Sequence, residues 1–207
     1  MILAFLISLV AAASAGVTHH TVSLARHHAH AQAPTGPDHE QAWFEQITLP
    51  AHDTALGQLN RVTVRVVQSS QVQYFYENLS FGGGYGQPVR FGRPHASLTL
   101  GDPQIPGKIL AASRIAYPDE FFYSGQGDGL LDWGGTGGHT SPRYIRHCVG
   151  ETVSRTAAGY DLSLFASPVA VDVVGRSQFL LSSGDGYYAF GLQHWSAGRV
   201  ELTYYWG

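Results

Sequence analysis

Four carboxylates, Asp119, Glu120, Asp128 and Asp132, sit in or beside the glycine-rich run between residues 125 and 138. Such a group could do two kinds of chemistry. Calcium takes several carboxylate and carbonyl oxygens, and glycine lets the backbone supply some of them. Two carboxylates flanking a sugar linkage could also serve as the acid and base of a glycosidase. The spacing matches no known calcium-loop signature, so a solvated loop face is the simplest expectation. A second concentration is imidazole. His19, His20, His27, His28, His30 and His39 crowd residues 16–41. Imidazole nitrogens take Zn²⁺, Cu²⁺ or Ni²⁺, and His28 and His30 share one side of an extended chain. A built metal site needs a rigid third ligand, and this stretch reads as flexible, so no metal is assigned.

The remaining chemistry is sparse. Cys148 is the single cysteine. It cannot form an internal disulfide and reads as a small buried hydrophobe. The adjacent His147 would point to the opposite face of a strand. No Gly-x-Ser-x-Gly elbow, Walker loop or Rossmann fingerprint is present. Asn78-Leu79-Ser80 matches a glycosylation sequon, expected by chance in a bacterial chain. No catalytic, cofactor-binding or metal-ligating residue is assigned, and no cofactor is expected.

Aromatic side chains are the other resource. Tyr74, Phe75, Tyr76, Phe121, Phe122, Tyr123, Trp133, Tyr187, Tyr188, Trp195, Tyr204, Tyr205 and Trp206 cannot all face inward if strands alternate. Consecutive pairs such as Tyr204 and Tyr205 must put one ring outside. Rings outside a rigid sheet can stack on sugars or on a partner protein.

The elements that must carry these groups are strands. Val62, Val64 and Val66 alternate with Thr63 and Arg65. Val72, Tyr74 and Tyr76 alternate with Gln73, Phe75 and Glu77, and the polar Gln68–Gln71 stretch between the two runs suits a hairpin. The spacing predicts further strands at 43–49, 95–100, 108–113, 160–165, 169–174, 177–181 and 199–206. Glycine and proline punctuate them, as at 82–84 and 184–186. No helical stripe or internal repeat is visible. With 25 glycines, 12% aromatics and only 13% charged residues, the balance favours an all-β fold: a single antiparallel β-sandwich, jelly-roll or Ig-like. A net charge of −3 offers no reason to expect nucleic acid or an anionic membrane as partner.

The first fifteen residues, MILAFLISLVAAASA, form an apolar run ending in a small-x-small cleavage site, although no Lys or Arg precedes it. The run is too short to cross ~30 Å of hydrocarbon. The expected organisation is a signal peptide at 1–15, a His-rich flexible lead-in at 16–41, part of which could form an edge strand, and the sandwich at 42–207. No membrane span is expected after cleavage.

The segment LPAHDTALGQLNRVTV at 49–64 resembles the opening of the bacterial choice-of-anchor E domain. Asp53, Leu56, Gly57, Leu59 and Val62 fit its Leu-Pro-x-Phe-Asp-x-x-Leu-Gly-x-Leu-x-x-Val pattern, with His52 in place of Phe. The segments at 161–165 (DLSLF) and 200–206 (VELTYYW) resemble its later elements. Independently of the resemblance, Gly57 suits a tight turn, and Leu56 and Leu59 can tuck into the core. The resemblance implies an exported bacterial domain of the cell surface or matrix, without established activity or functional residues to carry over. Members end in a Pro-Glu-Pro-type sorting segment. Its lack after Gly207 points to a freely secreted or periplasmic protein.

The expected function is a non-enzymatic surface or matrix module that binds polysaccharide or an envelope protein through exposed aromatics. Two alternatives stand beside it: a secreted carboxylate hydrolase, and a subunit that assembles through an open edge strand.

Overall fold

In the computed structural model, the described residues are 15–33, 38–79, 88–127, 130–135, 137–183 and 188–207. Residues 1–14 of the expected signal peptide, the glycine-punctuated stretches expected at 82–84 and 184–186, Asp128, Ser80 and Tyr187 lie outside them. Twelve strands are present among the described residues: β1 (Gly16–Ser23), β2 (His27–Ala33), β3 (Asp38–Leu49), β4 (Leu59–Asn78), β5 (Pro88–Gly101), β6 (Ile109–Ala116), β7 (Glu120–Tyr123), β8 (Gly138–Thr140), β9 (Tyr144–Val149), β10 (Val153–Thr156), β11 (Val169–Ser183) and β12 (Tyr188–Trp206).

The strands form two antiparallel sheets. One has the order β1-β12-β4-β10, with β2 also on β12 and β8 and β9 also on β4. The other has the order β3-β11-β5-β6, with β7 also on β5. β1 and β2 follow one another along one edge of β12, as do β8, β9 and β10 along β4 and β6 and β7 along β5, so each sheet has four positions. Numbered along the chain, these run 1-8-3-6 facing 2-7-4-5, which is the jelly-roll order. The fold is therefore an all-β sandwich, and of the two expected types it is the jelly roll.

Period-two alternation builds the interior. Val62, Val64, Val66, Val72, Tyr74 and Tyr76 all face inward from β4 and are buried, while Thr63, Arg65, Gln73 and Phe75 between them turn to the other face. Val200, Leu202 and Tyr204 do the same from β12. Each such side chain contributes ~1.5–3 kcal/mol on full burial.

The core is divided in two. One cluster holds Val62, Val64, Leu98, Leu100, Phe165, Val171 and Leu202. The other holds Val72, Tyr74, Phe91, Ile115, Phe179 and Leu192. Between them lies a belt of small and polar side chains: Gln68, Ser70, Ser113, Ser177, His194 and Ser196, all buried. Within it the Ser113 hydroxyl donates to Gln68 Oε1 at 3.1 Å, and Ser70 Oγ lies 2.7 Å from His194 Nε2. This belt corrects the expected hairpin at Gln68–Gln71. β4 runs straight through, because its polar residues find partners inside the sandwich rather than in a turn. The break expected between residues 174 and 177 is likewise absent, and β11 is continuous.

Three further expectations change. The stretch at 160–165 is not a strand but a short 3₁₀ helix at Leu162–Ala166. Asp161 caps it, accepting from Ser163 N at 3.0 Å, and Leu162 and Phe165, three apart, both reach the core. Leu56 is exposed, whereas Leu59 is buried. Leu56 belongs to the 3₁₀ turn Thr54–Leu56 capped by Asp53, which holds the side chain clear of the interior. Gly57 closes that turn at φ 140°, where a side chain would be strained.

The described residues of the lead-in, 16–33 and 38–41, are built into the sheets. β1 pairs with residues 199–206 and β2 with residues 190–196 of β12, and β3 already pairs with β11 at Asp38. The physical reason is side-chain stacking across and between strands. The His27 ring stacks on Trp43 at 3.8 Å and bonds Glu45 at 3.0 Å. Trp43 in turn covers Gly175 opposite it on β11, where an added Cβ would meet the indole at 2.0 Å. Trp206 covers Gly16 in the same way. Each glycine leaves the room that a cross-strand indole fills.

Candidate functional site: a groove on the five-stranded sheet

The outward face of the five-stranded sheet carries a groove of about 730 Å³. Its floor comes from strand register. Phe44, Val174, Thr99 and Ala112 form one row across β3, β11, β5 and β6. Gln46 and Asp172 sit opposite each other in the adjacent row. Thr99, Gly101 and Ala170 are small, so the floor lies low. An added Cβ at Gly101 would come within 3.3 Å of the Asp172 carbonyl oxygen.

One wall is Phe44, 68% exposed. Trp43 and Phe44 are consecutive on a strand, so one ring turns inward and the other outward. Phe44 was missed in the sequence reading. The rule applied there to Tyr204 and Tyr205 finds it when applied to residues 43 and 44. Polar groups line the same face. Gln46 Nε2 donates to Asp172 Oδ1 at 3.3 Å. The Thr99 hydroxyl donates to the Val174 carbonyl at 3.2 Å, and Arg176 pairs with Glu40.

The other wall is the loop from Pro103 to Lys108, held by one buried carboxylate. Asp102 Oδ1 accepts from Gln104 N at 2.9 Å and from Ile105 N at 3.2 Å. It also accepts from the Tyr160 hydroxyl at 2.8 Å. Asp102 N donates to the Lys108 carbonyl at 2.9 Å, closing the loop, and Gly107 supplies the positive φ of 78° that the turn requires. Burial, together with the bond to Asp102, pushes the Tyr160 phenol well above its ordinary pKa. Tyr160 therefore stays a neutral donor.

Of the carboxylates of 119–132, Asp128 lies outside the described residues, and Asp119, Glu120 and Asp132 each have a partner within the fold. Asp119 pairs with Arg90. Glu120 Oε1 bonds His139 Nε2 at 2.9 Å, and that ring stacks on Phe122 at 3.8 Å. Asp132 Oδ1 accepts from Gly134 N at 2.9 Å, a local turn. Of the histidines, His19 bonds Thr203 at 3.0 Å, His28 stacks on Trp195 at 4.7 Å, and His27 is engaged by Glu45. Among the described residues no three His, Cys, Asp or Glu side chains converge as a metal site. Cys148 is half-buried against the second core cluster, with His147 facing solvent. Of the expected aromatics, Phe121 and Tyr123 do stand exposed on β7, edge to face with each other at 5.3 Å. Arg61 lies over the Tyr205 ring at 3.7 Å, while Tyr204 is buried.

Ser70 and His194 have the contact of a nucleophile and its base, and the sequence offered no motif for them. Both are almost wholly buried in the core belt, where a substrate cannot reach. Burial pulls the His194 pKa down to about 4, so the ring is neutral near pH 7. The pair is a structural bond.

No helix among the described residues is long and apolar enough to cross a membrane. No family model matches the chain, and no curated protein matches it. Among solved structures it is similar to two described as "Structure of infectious bursal disease virus Gx strain" and "Crystal structure of infectious bursal disease virus VP2 subviral particle". Identities are 7% and 8%, with TM-scores of 0.24 and 0.25. The matches cover 92% and 91% of this chain but only 42% and 40% of those chains. The chain thus spans less than half the length of these structures.

Proposed function

We propose that this chain is an exported, non-enzymatic module that binds polysaccharide in the groove of its five-stranded sheet. The observation that carries the reading is the Phe44 ring standing free beside Gln46, Asp172 and Thr99. A sugar ring has an apolar C–H face and an equator of hydroxyls. An exposed ring takes the face, and amide, carboxylate and hydroxyl groups at fixed strand positions take the equator. An open groove suits a chain that runs past the site.

Export is supported by the apolar leader and its cleavage motif. Cleavage after Ala15 leaves Gly16 first, the residue that begins β1. Two of the segments that resemble the choice-of-anchor E pattern, 49–64 and 161–165, carry the capped 3₁₀ turns at one end of the sandwich. They build the frame rather than the groove. This fits a surface or matrix role in which the fold is shared and the ligand-binding face is the chain's own.

The test is a glycan array probed with the folded chain and with Phe44→Ala. The reading expects binding to at least one polysaccharide class, lost or strongly reduced in the variant at unchanged melting temperature. Equal binding by both proteins would move the site elsewhere.

A further inference from the structure

Resting on the groove reading, we infer that the polysaccharide bound there carries carboxylates, as in uronic-acid chains. The argument is which charges on this face are already engaged. Glu40 is taken by Arg176. Asp172 accepts from Gln46. Asp102 is buried beneath the loop and accepts from two backbone amides and the Tyr160 hydroxyl. All three carboxylates near the groove therefore have donors within the fold.

The cations are not matched in this way. Lys108 lines the groove at the end of the Pro103–Lys108 loop. Arg114 is exposed on β6, in register with Ser97 and, across it, Arg176. Neither Lys108 nor Arg114 makes an ion pair among the described residues. Beside the Gln46, Asp172 and Thr99 groups that take hydroxyls, this face thus offers an aromatic ring and two cationic side chains without an ion-pair partner among the described residues. That set complements a sugar with an apolar face and a carboxylate at its rim. Overall the chain is net negative, so long-range attraction does not draw acidic polymers to it. Any preference must be local, and salt must weaken it.

Calorimetric titration of the folded chain tests this with three probes: oligogalacturonate, its methyl ester, and a neutral glucan of equal length. The expected result is at least about tenfold tighter binding of the free acid than of the ester, shrinking as sodium chloride is raised. Lys108→Gln together with Arg114→Gln should abolish that difference. Free acid and ester binding equally, or the glucan binding while the acid does not, would overturn the inference and leave the groove reading standing. Binding by none of the three would overturn the inference and leave the groove reading to the glycan array.

Discussion

The Tyr160 hydroxyl donates to Asp102 Oδ1 at 2.8 Å across 58 residues of chain. It joins the connection after β10 to the loop that walls the groove. Removing the hydroxyl leaves the buried carboxylate short of one donor. Tyr160→Phe should therefore cost about 1–3 kcal/mol of stability, read by urea unfolding. Asp102→Ala should cost more, because it also frees two backbone amides and the loop they hold. If neither variant lowers the unfolding midpoint, the loop is braced by something else.

Phe44 faces water, so it does little for the fold. Phe44→Ala should leave the unfolding midpoint within about 0.5 kcal/mol of the parent. Its partner across the strand behaves in the opposite way. Trp43→Ala removes the cover over Gly175 and the stacking surface for His27, and should destabilise by about 3 kcal/mol. The two substitutions, one residue apart, separate binding from folding.

Gly175→Ala places a methyl against the Trp43 indole. The ring must move, and overpacking of this kind costs about 1–3 kcal/mol. The double variant Gly175→Ala with Trp43→Leu should recover part of that loss. Additive losses would show that the two positions do not share one space.

The buried His194 makes stability depend on pH. Its folded pKa of about 4 lies below the unfolded value of 6.5. The neutral ring is the form the fold accepts. Stability is therefore full above pH 6.5 and falls as pH drops from 6.5 towards 4, by up to about 3 kcal/mol. His194→Gln should flatten that part of the pH–stability curve. An unchanged slope in this variant would assign the acid sensitivity to other groups.

Much of the fold was legible in the sequence. Alternation at 62–66, 72–76 and 200–206 marks inward faces that the structure keeps. Two kinds of feature were not legible. Gln68–Gln71 reads as a turn by composition, because only the packed sandwich brings Ser113 and His194 to its inward side chains. The histidines of 16–41 read as flexible for the same reason. Their partners are set by strand pairing, as for Trp195 and Thr203, or by packing between the two sheets, as for Glu45, rather than by neighbours in sequence. The groove was half legible. Alternation alone turns Phe44 and Gln46 outward together, but the company of Asp172 and Thr99 depends on the order β3-β11-β5. That order is a property of the topology.

The integrated N-terminus has its own consequence. Deleting residues 16–33 removes both strands that cover the outer edge of β12. The shortened chain should aggregate or lose its cooperative unfolding transition. A stable, soluble product with the parent melting temperature would restore the flexible reading of this segment.

The most direct test of the central claim is amide chemical-shift mapping of the labelled chain during titration with an acidic oligosaccharide. The account predicts that shifts concentrate on residues 44–46, 99–109, 114 and 170–176, across four strands and one loop of a single sheet. Shifts centred instead on 119–139, or on the outer face of the seven-stranded sheet, would contradict it.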